Sequence, residues 1–241
     1  MQKSHNQNYL YMRVLCLHGF RTSAKVLSFQ VRDFRSAPMD LDMECIDSAI
    51  LATGPPEPSV KMFFGDGPFY EWWTFDEALG EYAGVMETME QVRRHVAENG
   101  PYDGLFGFSQ GACLATMLLR EAALAIAAGE ATTLPGVKFV ILSSGFLPRD
   151  PELRERFFAS DASSSGGSSA SSPPPCPVAV PVATLHGASD RLRESSLDLA
   201  AMVGSRVILE HSGSHEVINK RLDPGKTLEK LRAFVVEAME A

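Results

Sequence analysis

The chain has 241 residues, of which 45% are hydrophobic and 22% are charged. These fractions are close to globular averages and exclude a chain that is disordered throughout, and the length suffices for an α/β domain with a substantial core. The formal net charge is −8, without a local run of Lys and Arg, so a nucleic-acid partner is not expected.

The spacing of the cysteines and the composition of the N-terminal segment predict the cellular compartment of the protein. The four cysteines (Cys16, Cys45, Cys113 and Cys176) are widely spaced and form no CxxC pair, which predicts free thiols in a reducing compartment and no zinc site. Residues 1–12 are polar and resemble no signal peptide, so we expect a flexible tail. No uninterrupted apolar stretch of about 18 residues occurs, so we expect a cytoplasmic protein without a transmembrane segment.

Apolar runs in chain order predict six strands. They are Arg13–Leu17, Met43–Ile46, Leu105–Phe108, Val137–Ser143, Ala179–Leu185 and Arg206–Glu210. Several are continuously apolar, which is typical of strands covered by helices on both faces.

Four segments with apolar residues near helical spacing alternate with these strands. They are Phe75–Glu98, Gln110–Ala128, Glu194–Val203 and Lys226–Met239. The alternation predicts an α/β fold with a mostly parallel, doubly wound sheet of about six strands.

Two segments interrupt the alternation. Ala159–Pro177 is rich in Ser, Gly and Pro, a composition that predicts a flexible surface loop within a single domain spanning 13–241. Pro55–Trp73 has no clear periodicity and is unusually aromatic. We predict that Phe69, Trp72 and Trp73 form a substrate-binding wall, with packing in a hydrophobic cluster as the alternative.

The strongest functional signal is the G-x-S-x-G pattern of Gly107–Gly111, GFSQG. It lies between an apolar strand and an Ala-rich helix, which is the context of a nucleophile elbow. Ser109 is therefore the predicted nucleophile. The alternative is an ordinary strand-to-helix turn whose serine only caps the helix.

A serine hydroxyl needs a general base. His215 ends the segment His211–His215, HSGSH, beyond the last predicted strand. This position lies at the carboxyl edge of a parallel sheet, within reach of the elbow. His211 is the nearest alternative, but it directly follows the strand, where we expect it to pack or to shape the loop.

The predicted acid that orients the base is Asp190, in the loop after the fifth strand. Its carboxylate can fix the tautomer of the imidazole and stabilise the imidazolium. The order Ser109, Asp190, His215 matches that of α/β-hydrolases. Asp223 is a weaker candidate because it follows the histidine, and Asp190 could also serve as an Asx-turn or helix cap.

An oxyanion intermediate requires hydrogen-bond donors placed in advance. We predict the backbone N–H groups of Gln110, which follows the nucleophile, and of Phe20, in the loop after the first strand. His18, at the end of that strand, is expected to be structural.

Six segments together resemble the FSH family of serine hydrolases, the α/β-hydrolases related to the ovarian cancer-associated gene two esterase. They are Arg13–Phe20, Gly67–Trp73, Gly107–Gly111, Ser144–Phe146, His186–Asp190 and His211–His215. The resemblance implies a Ser-Asp-His triad at Ser109, Asp190 and His215. It also implies hydrolysis of carboxylic esters without a cofactor or metal.

The predicted function is that of a serine carboxylesterase acting through an acyl-enzyme on a small-molecule or lipid-like ester, with preference for medium or long acyl chains. Two alternatives stay open. One is an acyl-protein thioesterase or lysophospholipase, which shares the triad chemistry. The other is a slow or non-catalytic α/β-hydrolase that binds a ligand.

Overall fold

A computed structural model describes residues 12–76, 81–159, 178, 180–222 and 226–241. Its main sheet has six parallel strands in the order β2-β1-β5-β6-β7-β8, and a separate two-stranded hairpin pairs β3 with β4. The strands are β1 Arg13–Leu17, β2 Asp42–Ile46, β3 Thr74–Asp76, β4 Glu81–Ala83, β5 Gly104–Phe108, β6 Phe139–Ser143, β7 Val182–Gly187 and β8 Val207–His211.

Helices cover both faces of the sheet. They are α1 Ala24–Gln30, α2 Pro58–Phe64, α3 Val85–Asn99, α4 Gln110–Ala127, α5 Pro151–Phe158, α6 Arg193–Val203 and α7 Lys226–Glu240. The buried side chains of α3, α4, α5 and α6 form one core cluster with the sheet, and those of α7 form a second one with Leu27 of α1. Val26 of α1 belongs to a third, smaller cluster with Val60 and Phe69. Every residue of β5 and β6 is buried between the two layers, which explains their continuous apolar sequences.

The predicted strands agree with the structure to within three residues at each end, and three of the four predicted helices to within one. The helix predicted over Phe75–Glu98 is wrong in the part before Val85 that the structure describes. A β-hairpin occupies that part, and α3 begins only at Val85, after Gly84 in the left-handed region with φ 93°.

Tertiary contacts explain the hairpin. The N–H of Tyr82 donates to Asp150 Oδ2 at 2.9 Å, and the Tyr82 ring stacks on Trp73 with 5.0 Å between ring centroids. Both partners lie outside the segment that was predicted to be helical. Local periodicity carries no information about such partners. These residues were therefore predicted as part of the helix.

Three short helices were not predicted. α1 and α2 have seven residues each and α5 has eight, which is too few turns to show a clear periodicity. The stretch Pro55–Trp73 is therefore not wholly irregular, since it contains α2.

Two predicted flexible segments lie outside the described residues: the tail, apart from Met12, and the low-complexity loop 159–177, apart from Ala159. β6 and β7, on either side of that loop, pair directly in the same sheet. Cys16, Cys45 and Cys113 are free thiols, and Cys176 also lies outside the described part.

The sequence argument against a membrane span needs a correction. By length and composition alone, α4 is apolar enough to cross a membrane, although Arg120 and Glu121 interrupt it. In the structure 67% of this helix is buried inside the protein, and it packs against β5 and β6. This is the ordinary position of a core helix.

The strand order places a crevice at one point of the sheet. The chain adds β2 on one side of β1 and later adds β5 on the other side. Such a switch in direction opens a crevice outside the carboxyl ends of the two central strands. The segments Gly19–Phe20 and Ser109–Gln110 follow β1 and β5 there.

Candidate active site

Ser109 occupies a strained turn between β5 and α4. Its φ of 53° lies in the left-handed region, which side chains other than glycine seldom adopt. A Cβ on Gly107 would lie 2.5 Å from Ala112 Cα, and a Cβ on Gly111 would collide with the backbone oxygens of Leu17 and His18. The two glycines of the motif are thus required by the close approach of backbone, and the strain marks a functional position.

Ser109, His215 and Asp190 form a continuous hydrogen-bonded chain. His215 Nε2 lies 3.0 Å from Ser109 Oγ, and His215 Nδ1 lies 3.0 Å from Asp190 Oδ1 and 3.2 Å from Oδ2. These distances suit proton transfer from the serine to the imidazole, with the carboxylate fixing the tautomer. The structure therefore brings together the three side chains that the sequence singled out from three different loops.

Asp190 is ionised in this arrangement. Burial raises the pKa of its carboxyl group, but hydrogen bonds from His215 and from the N–H of Leu192 lower it further, so that the pKa falls to about 2. Its side chain is fully buried. The bond from Leu192, at 2.8 Å, is an Asx-type turn, so the carboxylate shapes its own loop as well as holding the histidine.

His211 has a different environment. It is buried, its Nδ1 accepts a hydrogen bond from Gly213 N–H at 3.1 Å, and burial lowers its pKa. The structure records no contact with Ser109 among its hydrogen bonds. His211 thus shapes the turn that carries His215.

Glycine lets the two loops of the site approach each other. A Cβ on Gly187, at the end of β7, would collide with the carbonyl oxygens of Gly213 and Ser214. The N–H groups of Ala188 and Ser189 then donate to the carbonyls of the His211–His215 segment at 2.8 and 3.1 Å. This backbone pairing sets the distance between Asp190 and His215.

The predicted oxyanion donors lie near the nucleophile. Phe20 and Ser109 line the same cleft, and Gln110 is the first residue of α4. The side chain of Gln110 also has a function that the sequence did not reveal. Its Oε1 accepts from Trp72 N–H at 2.9 Å, and its Nε2 donates to the Trp73 carbonyl at 3.0 Å. This residue fixes the aromatic segment against the elbow.

His18 is a buried structural residue, as expected. Its Nε2 accepts from Ser48 N–H at 3.3 Å, its Nδ1 bonds the Gly19 carbonyl at 2.8 Å, and its ring stacks on Trp72. Burial lowers the pKa of His18 to about 4, although the bond to Gly19 opposes this. The imidazole is therefore neutral at pH 7.

This shift predicts a specific loss of stability in mild acid. The unfolded chain, with a pKa near 6.5, binds the proton more readily than the folded one. The contribution of neutral His18 to the free energy of unfolding is therefore fully present above pH 6.5 and is lost as the pH falls towards 4. We expect the wild-type free energy of unfolding to fall by about 2 kcal/mol more than that of His18→Gln between pH 7 and pH 4.5.

Urea unfolding at both pH values measures this difference. His211 and Asp190 also have lowered pKa values, and Glu71 has a raised one, but all three are present in both proteins and cancel in the comparison. Parallel pH profiles for wild type and variant would contradict the assignment.

The predicted substrate-binding wall at Phe69, Trp72 and Trp73 requires correction. All three side chains are buried, and none lines the cleft beside Ser109. Trp72 Nε1 donates to the His18 carbonyl at 2.8 Å, and both tryptophans belong to the main core cluster. These residues pack beneath the loop after β1 and do not line the cleft. The alternative interpretation, packing in a hydrophobic cluster, therefore applies to them.

The cleft beside Ser109 has a volume of about 560 Å³. Its aromatic wall comes from the loop after β1, from α1 and from α2, and consists of Phe20, Phe29, Phe63 and Phe64. Phe63 is 76% exposed, and Phe29 meets Phe64 edge to face with 5.7 Å between centroids. Phe63 and Phe64 lie in the aromatic segment Pro55–Trp73 that the sequence singled out, but the three residues predicted there were others, because α2 was not recognised.

One charged pair behind the site was also missed. Glu71 is 1% exposed, and its Oε2 lies 3.6 Å from Nε of Arg21, the residue after Phe20. Burial raises the pKa of Glu71, and the charge of Arg21 opposes the rise. Arg21 has a φ of 52°, so this pair anchors a strained loop next to the predicted oxyanion donor. The only sequence signal was a carboxylate between aromatic residues.

Within the described ranges, no group of three or more His, Cys, Asp or Glu side chains is placed to hold a metal ion.

A parallel sheet with a strained serine after its central strand, covered by helices on both faces, defines an α/β-hydrolase. Solved structures show the same fold: acyl-protein thioesterase 2 of Zea mays (TM-score 0.57, 17% identity, 95% of this chain and 94% of that one) and esterase PE8 (TM-score 0.55, 20% identity, 94% and 92%). A family model described as "Serine hydrolase (FSH1)" matches residues 10–223, so the chain belongs to this family of serine hydrolases.

Curated relatives bear the name esterase. Human esterase OVCA2 is 30% identical over 223 residues, covering 85% of this chain and 88% of its own. Esterase FPY3 of Fusarium mangiferae is 29% identical over 221 residues, covering 86% and 88%. The resemblance inferred from six short segments is thus confirmed over most of the chain, and a hydrolase of the esterase type is supported.

Proposed function

We propose that this protein is a serine carboxylesterase that hydrolyses esters with apolar medium or long acyl chains through an acyl-enzyme. The observation that carries the proposal is the unbroken chain of contacts from Ser109 Oγ through His215 to the ionised Asp190. A serine bonded to an imidazole, itself bonded to a buried carboxylate, is the arrangement that activates a hydroxyl for acyl transfer.

In the proposed reaction, Ser109 Oγ attacks the ester carbonyl while His215 Nε2 takes its proton. The N–H groups of Phe20 and Gln110 stabilise the negative charge on the carbonyl oxygen. As the intermediate collapses, the bond to the alcohol breaks and His215 gives the proton to the leaving oxygen. Water then attacks the acyl-enzyme with His215 again as base, which releases the acid and restores Ser109.

A fluorophosphonate probe and a panel of 4-nitrophenyl esters test this proposal. We expect labelling of Ser109 and turnover of the esters. Absence of both in a folded preparation would favour a ligand-binding protein without turnover. An acyl-protein thioesterase would share the labelling but hydrolyse thioesters at least as well as oxygen esters of the same acyl group.

The exposed aromatic wall predicts a preference for acyl-chain length. Each methylene that leaves water contributes about 0.8 kcal/mol, so kcat/KM should be higher for a decanoyl than for an acetyl ester. Phe63→Ala removes part of the wall, and we expect it to lower the decanoyl-to-acetyl ratio about fivefold.

The adjacent Met62→Ala is the matched control. Met62 is 77% exposed on the same helix, almost the same as Phe63, but it does not line the cleft. The decanoyl-to-acetyl ratio of kcat/KM for Met62→Ala should stay at the wild-type value. A wild-type ratio below one, or equal effects of the two substitutions, would reject the aromatic wall as an acyl site.

A further inference from the structure

The cleft beside Ser109 is positively charged in an acidic protein. Four arginines line it against two glutamates, while the whole chain has a net charge of −8. The lining charges are Arg21, Arg32, Arg191, Arg221, Glu57 and Glu216. Because charges in a concave surface add to one local field, this imbalance favours an anionic ligand.

Two of the arginines are already paired. Arg191 Nη2 lies 3.3 Å from Glu57 Oε1, and Arg21 lies beside the buried Glu71. Arg32 and Arg221 form no ion pair with any carboxylate in the described ranges, so their charges are available to a ligand.

Arg32 is held in place at the cleft by contacts that do not neutralise its positive charge. Its Nη1 donates to the Phe29 carbonyl at 2.9 Å, and its guanidinium lies 4.3 Å from the centroid of the Phe29 ring. Phe29 itself belongs to the aromatic wall. The aromatic wall and this positive charge are therefore adjacent. Within the described residues, the remaining N–H groups of Arg32 form no ion pair with a carboxylate.

Arg221 belongs to a segment that is bonded to the segment of Arg32. Its neighbour Lys220 donates its backbone N–H to Oδ2 of Asp33, the neighbour of Arg32, at 2.8 Å, and its Nζ donates to Ser36 Oγ at 2.9 Å. These contacts hold the two segments side by side, and both arginines line the cleft. Two such groups can bind one carboxylate or phosphate.

We propose that the substrate is an ester that carries an oxyanion, a carboxylate or a phosphate, beyond its apolar part, and that Arg32 and Arg221 bind this group. The inference rests on the proposed esterase function. Under this proposal the triad also hydrolyses neutral esters, and the anionic group of the substrate increases its affinity and fixes its orientation in the cleft.

Two matched substrate pairs test the proposal. The first compares 4-nitrophenyl decanoate with the mono-4-nitrophenyl ester of decanedioic acid, which carries a terminal carboxylate. The second compares decanoyl glycerol with decanoyl glycerol 3-phosphate. For each pair the readout is the ratio of kcat/KM for the anionic over the neutral ester, which is internal to each protein and independent of the folded fraction.

We expect wild type to favour the anionic member of at least one pair about fivefold, since each exposed charge pair contributes only modestly. The favoured pair identifies carboxylate or phosphate as the group. The double variant Arg32→Gln/Arg221→Gln should bring the ratio to about one or below, and 1 M NaCl should reduce it in wild type.

Arg206→Gln is the control. Arg206 pairs with Glu237 and bonds Val182 at the start of β7, at the opposite edge of the sheet, so its ratio should match wild type. Ratios near one for both pairs in wild type, or ratios that survive the double substitution, would overturn the proposal. Turnover of none of the four esters would instead refute the esterase function itself.

Discussion

Ser109→Ala is expected to lower ester turnover at least about 10³-fold and to abolish labelling by a fluorophosphonate, while leaving the protein folded. The catalytic loss is large because the members of a Ser-His-Asp unit act together and lose most of their effect with any one of them. Folding should persist because Ser109 Oγ makes no capping bond to α4, and its recorded partner is His215.

Ser196→Ala gives the opposite pattern and serves as the control. Its buried Oγ donates to the Gly145 carbonyl at 2.9 Å, away from the cleft. Loss of this bond should lower the free energy of unfolding by about 1 kcal/mol and leave turnover unchanged. Melting temperature and kcat/KM measured on both variants separate the two roles. Near-normal turnover by a clean preparation of Ser109→Ala would remove Ser109 as nucleophile.

The second large effect is expected at His215. His215→Ala should be nearly as inactive as Ser109→Ala, because no other imidazole contacts Ser109 Oγ within the described residues. His211→Ala should be much milder in kcat, since His211 contacts the Gly213 backbone rather than the serine. Turnover per folded molecule, with folding checked by circular dichroism, is the measurement. An inactive but folded His211→Ala would reverse the assignment of the base.

Asp190→Asn extends this comparison to the acid. The amide oxygen can still accept from Leu192 N–H and preserve the turn, but the NH₂ group replaces one of the two oxygens near His215 Nδ1, and the negative charge that holds the imidazole is lost. The imidazole is then free to adopt the wrong tautomer, and we expect slower turnover with a fold that persists. Turnover equal to wild type would show that the carboxylate only shapes its loop.

Much of the candidate site was readable in the sequence. The elbow has a local cause, because a strand, two glycines that permit close backbone approach and a helix all lie within a few residues of Ser109. Asp190 and His215 were predictable because loops that follow parallel strands share one edge of the sheet. The continuous apolar character of β5 and β6 likewise identified the two central strands correctly.

Local sequence could not assign the aromatic residues correctly. Trp72 and Trp73 are as apolar as Phe63, and nothing in their spacing shows which ring is buried and which is exposed. That outcome depends on partners distant in the chain: the indole of Trp72 reaches the His18 carbonyl, and Gln110 holds the backbone of both tryptophans. The hairpin at Thr74–Ala83 has the same cause, since Asp150 selects it over a longer helix.

By itself, then, the sequence determined the parallel sheet, the turn that carries Ser109 and the family, because each depends on short-range patterns or on the order of strands. The tertiary structure alone decided which residues line the cleft beside Ser109. It brought α2 and the end of α1 next to Ser109, and it bonded Lys220 to Asp33, which brings two distant segments of the chain to the same cleft. Such a surface is assembled from segments whose separation in sequence says nothing about their distance in space.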